Sequence, residues 1–100
     1  MSIYLISYDL KAPDKNYEGL ISTIQTAKAY KHVLESTWIV SSDCAISEWR
    51  NKLKAHMDLN ADLLFVVDIS NGQYSGWHYE EFWEWLKSQH AIGRTNGTGA

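Results

Sequence analysis

The run "DLLFVVDI", Asp62 to Ile69, constrains the fold more than any other stretch of the chain. It holds five apolar residues in succession and is rich in β-branched and aromatic side chains, a pattern that suits a strand and is short for a helix. A near-continuous apolar run of this kind predicts a central strand covered on both faces. The opening segment, Ile3 to Leu10, carries the same message. Tyr4, Ile6, Tyr8 and Leu10 alternate with Ile3, Leu5, Ser7 and Asp9, so both of its faces begin apolar. A sheet built from such strands needs a covering layer on each side.

The segments between them supply candidates. "KAPDKN" breaks the chain after the first strand and places Asp14 to cap a helix from about Lys15 to Ala29, with Tyr17, Leu20, Ile21, Ile24 and Ala27 in one stripe. "KHVLESTWIVSS", Lys31 to Ser42, is β-rich, and "EST" in its middle predicts a kink that divides it into two short strands. Ser42 or Asp43 then caps a second helix running to about Met57, with Ile46, Trp49 and Leu53 inward. "NGQYSG" is turn chemistry, and Ser75 or His78 opens a last helix, Tyr79 to Gln89, whose Tyr79, Phe82, Trp83 and Leu86 share a face.

Strand, helix, divided strand, helix, strand is the order of the βαββαβ unit. The fold class expected is therefore α+β, a ferredoxin-like sandwich with an extra C-terminal helix. Residues 1–90 form one domain and residues 91–100 a disordered tail with little to bury. Both helices of that unit cover one sheet face. The second face falls to the Trp-rich last helix, to a second copy of the chain, or to both.

Composition narrows the function. At 100 residues and 45% hydrophobic content, the chain is large enough to fold without disulfide or metal staples. The lone Cys44 has no partner for an internal disulfide, and no run approaches the ~18 apolar residues of a membrane span. With no secretory leader at the N-terminus, the expected location is the cytoplasm. A net charge of -3 and only two arginines, Arg50 and Arg94, argue against a strong nonspecific nucleic-acid surface, so any contact with RNA or DNA is local. Zinc-type spacing is missing, since Cys44 has no CxxC partner and the four histidines show no HxxxH.

Asp9 is the residue that packing does not explain. A carboxylate at the end of an apolar strand suits two roles. It can cap the strand by accepting hydrogen bonds from the backbone of "KAPDKN". It can also hold Mg²⁺, which takes one or two protein carboxylates and completes its octahedron with water and phosphate oxygens, so one aspartate from each of two subunits makes a minimal site. Ser36, Thr37 and Trp38 also read two ways. They offer hydroxyls for a phosphate and an indole for a base, or hydroxyls for backbone loosened at the kink and an indole for the core. His32 is a candidate base beside Asp9 or a surface residue, and Lys11, Lys15, Lys28 and Lys31 form a weakly positive edge or a solvated one.

These residues together carry a resemblance. "YLISYDL", with Tyr-Asp closing the first strand, and "ESTWIVSSD", with its serine at the kink, resemble the Cas2 family of CRISPR-associated proteins. Small bacterial proteins described as SinR-like are more similar still in "YDLKAPDKNY", "HVLESTWIV" and "NADLLFV". The resemblance implies a homodimer joined through the open sheet face, with the aspartate of each first strand near the axis. In some Cas2 proteins that pair accompanies a divalent metal and nuclease activity; in others the dimer is a nonenzymatic scaffold. On this footing Asp9 is the catalytic metal ligand for Mg²⁺, with Tyr8 and Ser36 lining the site. Lys11, Lys15, Lys31, Thr37 and Trp38 are the contacts to RNA or DNA. The alternative is a dimer without catalysis that binds nucleic acid or protein.

Overall fold

The computed structural model describes residues 1–12 and 16–98, with side chains as far as Ala91. The expected cap at Asp14 and the candidate contact Lys15 lie outside the described residues, as do residues 99 and 100 and the side chains of residues 92–98. The backbone of residues 91–98, most of the expected tail, is helical.

The elements run β1 (Ser2–Asp9), α1 (Glu18–Ile24), β2 (Ala29–Leu34), β3 (Thr37–Ser42), α2 (Ile46–Lys54), β4 (Leu63–Asp68) and α3 (Glu80–Thr98). The four strands form one antiparallel sheet in the order β2-β3-β1-β4. The divided strand is a hairpin: Glu35 and Ser36 turn the chain between β2 and β3, and the pairing slips between His32 and Leu34. Helix α1 is shorter than its apolar stripe predicts. Thr26 and Ala27 donate backbone bonds three residues back, to Thr23 and Ile24, which tightens and ends the helix, and Lys28 already donates to the Ser41 carbonyl. Residues from Ala29 onward are needed for β2.

One sheet face lies under α1 and α2. Tyr4, Ile6, Trp38 and Val40 from the strands pack with Leu20 and Ile24 of α1, Trp49 and Leu53 of α2, and Met57. Each such burial contributes roughly 1.5–3 kcal/mol against the entropy of ordering the chain. Polar atoms inside this layer are paired: the Tyr4 hydroxyl donates to the Cys44 carbonyl at 2.7 Å and the Trp49 indole N–H to Ser42 Oγ at 2.9 Å. Glycine at position 19 lets α1 approach the chain beyond α2, because a Cβ there would overlap the His56 ring.

The other face is covered in part by α3. Phe82 and Leu86 bury Ile3 and Ile39, with Leu5, Val33, Ile69, Trp83 and Trp85 around them. Farther along the helix, Ser41 Oγ donates to Gln89 Oε1 at 2.8 Å in a buried bond. Between β4 and α3 the chain crosses this face from one sheet edge to the other. It leaves β4 through a turn in which Gly72 takes φ +50° and arrives at β2, where His78 Nε2 donates to the Val33 carbonyl at 2.6 Å while Nδ1 accepts from Tyr79 N–H at 2.8 Å. Those two contacts fix the neutral Nε2–H tautomer.

The apolar run of β4 does not make it central. β1 pairs on both sides, with β3 and β4, and β4 is an edge strand. Leu64 and Val66 face the first core, whereas Leu63 and Phe65 point to the other face and stand 60% and 64% exposed. Helix α3 ends its cover before reaching them.

Candidate functional site

The open part of the second face lies at the end of the sheet where β1 finishes. Directly paired residues share a face, and the pairings Leu34 with Thr37, Thr37 with Ser7, and Ser7 with Phe65 draw one row across all four strands. Asp9 pairs with Leu63 one step beyond it. At the centre of the row Ser7 Oγ and Thr37 Oγ1 lie 3.1 Å apart and share a hydrogen bond. Leu34 and Phe65 at its two ends are mostly exposed. The surface is thus an apolar strip with a small polar middle and a carboxylate at its rim.

Asp9 lies on this strip with its side chain 60% exposed, and its Oδ2 is 3.3 Å from Lys11 Nζ. A shallow depression joins it to Ser7, Leu63 and Phe65. Among the described residues no group of three or more His, Cys, Asp or Glu comes together. On this strip one protomer offers Mg²⁺ the Asp9 carboxylate, which Lys11 already engages. One carboxylate is the lower limit of what Mg²⁺ takes from protein, and a second chain would add another.

The structure turns the side chains of Tyr8, Trp38 and His32 to the face opposite Asp9. Tyr8 points through the sheet to the opposite face, where its hydroxyl accepts the Trp38 indole N–H at 3.0 Å. Ser36 meets Tyr8 through backbone, its carbonyl accepting Tyr8 N–H at 3.1 Å. Trp38 is 5% exposed, and His32 stacks on its ring at 4.3 Å, so its surface is spent inside the protein. His32 also bonds the Glu35 carbonyl at 2.9 Å and lies on Trp38's side of the sheet, away from Asp9. Lys31 sits at the α3 end with its ammonium 5.9 Å from the Trp85 ring, and Lys11 is engaged by Asp9. Among the described residues expected to contact nucleic acid, Thr37 lies on the open strip and Lys11 at its rim against Asp9.

The strand-end hydrogen bonds that Asp9 was a candidate to accept go to Asp62. Its Oδ1 accepts from Lys11 N–H at 2.7 Å, its Oδ2 from Asp58 N–H at 2.8 Å, and the Tyr17 hydroxyl donates to it as well. Tyr17 in turn accepts Ala12 N–H at 3.2 Å. Burial alone would raise the Asp62 carboxyl, but the hydrogen bonds from Lys11, Asp58 and Tyr17 outweigh it and hold it below the usual aspartate range. The Tyr17 phenol is pushed up by its own burial and by bonding to that carboxylate. Sequence reading missed Asp62 because it looks like the polar first residue of a strand; "DLNAD", with acids four residues apart around a turn, was the available signal.

A second concavity, about 510 Å³, lies between α2 and the outer edge of β4, with Arg50, Lys54, Ile46 and Leu59 on its walls. Compared with known proteins, the chain matches no family model and no curated protein. Among the described residues no helix is long and apolar enough to cross a membrane.

Proposed function

We propose that the protein is a Cas2-like, ferredoxin-like module that works as a homodimer without catalysis of its own, as an assembly unit for protein or nucleic-acid partners. The strand order, which places β1 between β3 and β4, supports the ferredoxin-like reading. The observation that carries the dimer is the uncovered row Leu34, Thr37, Ser7 and Phe65 with Leu63 beside it, an apolar strip of the kind that marks an interface. The single carboxylate paired with Lys11 and the burial of Trp38 weigh against a self-sufficient nuclease.

Helix α3 restricts how two copies meet. It adds a layer roughly 10 Å thick on one half of the face, so flat apposition of whole sheets is blocked. Two copies fit by laying open half against open half in opposite directions, each α3 passing beyond the end of the other sheet. Sedimentation equilibrium tests this: wild type dimerises and Phe65→Glu, which puts a charge in the strip, is monomeric. A wild type that stays monomeric at high micromolar concentration overturns the proposal.

One observation favours a second reading, Mg²⁺-dependent cleavage of RNA or DNA. Asp9 shares the strip with Ser7 and Phe65, so a dimer through that face brings two carboxylates to one interface. Cleavage of labelled RNA or DNA by wild type in Mg²⁺ or Mn²⁺, absent in Asp9→Ala, decides for it; equal inactivity of both decides against it.

A further inference from the structure

Trp77 is 99% exposed, the largest side chain on the surface with essentially no cover. It stands at the rim of an apolar cavity of about 240 Å³. The sheet forms the floor through Leu5, Thr37 and Ile39, and the crossing segment with α3 forms the roof through Phe82 and Trp83. The cavity opens beside Leu34, at the β2 end of the uncovered row, and among the described residues no acid, lysine or arginine lines it. An indole kept in water next to an apolar hole is a knob without its socket, since such a side chain is most stable fully packed.

We propose that Trp77 of each protomer enters this cavity of a second copy, so that knob and hole are exchanged across a two-fold axis and lock the dimer. The inference rests on the dimer reading above and names what holds it. One feature of the molecule and one of the proposed dimer favour a second copy as the occupant. Knob and hole lie together at one end of the open strip, and the antiparallel, offset approach that α3 imposes sets the β2 rim of one protomer against the β2 rim of the other. An interface with that symmetry uses the same patch twice, so a side chain and the socket beside it exchange partners in one step. The area agrees: Trp77 and Phe65 together offer on the order of 300–400 Å² of exposed aromatic surface, close to half of the ~800 Å² that each partner gives to a stable interface. Leu34, Leu63 and the cavity walls lie next to them.

Trp77→Ala tests the proposal, and its exposure means that the truncation leaves the fold intact, which far-UV circular dichroism verifies. Sedimentation velocity over a concentration series compares wild type, Trp77→Ala and Phe65→Glu. Each tryptophan removed weakens the dimer by at least about 30-fold, so the homodimer of Trp77→Ala, which lacks both, dissociates over the accessible range. Thr37→Phe fills the socket from its floor and gives the complementary defect. Mixing it with Trp77→Ala restores one intact knob and socket, so the mixed dimer is tighter than either variant alone. A Trp77→Ala dimer as tight as wild type, with Phe65→Glu monomeric, overturns the lock and leaves the dimer standing. A monomeric wild type overturns both. A Trp77→Ala protein that loses thermal stability as a monomer places the indole in its own cavity and also overturns the exchange.

Discussion

The Ser41 hydroxyl donates to the Gln89 side-chain carbonyl at 2.8 Å, joining two buried residues 48 positions apart and tying the sheet to α3 at the end opposite the open strip. Leu86, one turn earlier on the helix, is almost completely buried over the same face. Leu86→Ala is expected to cost 2–5 kcal/mol, from lost burial and the cavity left behind. Ser41→Ala, which leaves the Gln89 amide without its partner, is expected to cost about 1–3 kcal/mol. Urea denaturation followed by circular dichroism measures both, and Leu86→Ala should also become the better substrate for limited proteolysis near the start of α3.

Asp62 gives the fold an acid dependence. Its folded pKa is held below the ordinary value of ~3.9. The stabilisation is therefore complete above that ordinary value and is lost as pH falls through the lower folded one. Asp62→Asn should have a lower Tm than wild type at neutral pH, and the gap should close as the solution is taken below about pH 4. Thermal melts of the two proteins across an acid series check the sign.

Asp9 and Lys11 are both more than half exposed, so their ion pair is worth about 0.2–1 kcal/mol at most. Asp9→Ala should melt within a few degrees of wild type. Any loss of binding or cleavage in that variant then belongs to the site and not to the fold, which differential scanning calorimetry beside the activity assay establishes.

At Gly72 the backbone lies at φ +50°, where a Cβ is strained, and the added atom would come 3.3 Å from the His90 ring. Gly72→Ala should cost about 1–2 kcal/mol. Gly72→Asn should cost less, because asparagine tolerates that region better. Chemical denaturation of the two variants measures the difference.

The order of strands and helices was legible from periodicity, because alternation and the 3.6-residue stripe are local signals: Tyr4 and Ile6 against Leu5, or Trp49 with Leu53, identify their own elements. Pairing is not local. Nothing inside "DLLFVVDI" says that β1 takes the centre and leaves β4 at the edge, so its apolar run suggested cover on both faces where Leu63 and Phe65 have little. The second face was rightly expected to need cover, and the last helix was among the candidates, yet its stripe could not show that it reaches Ile3 and Ile39 and stops short of Phe65. At the candidate site, Asp9 was visible as an acid out of place. The resemblance placed Tyr8 beside it and Trp38 was offered as a base-stacking contact, whereas alternation along β1 sends Tyr8 through the sheet and the β3 register takes Trp38 with it. Asp62 was hidden because its bonds to Lys11 and Tyr17 span 51 and 45 residues.

An edge strand with a greasy side is a template for its own copies, and among the described residues β4 has no strand on its outer flank. Arg50 and Lys54 line the trench beside it against one acid, Asp62, so two such flanks brought together meet net charge of the same sign. Strong salt screens that repulsion. Ribbon-like growth of copies along β4 is therefore expected to be opposed by two cations on a neighbouring helix and to become easier as ionic strength rises.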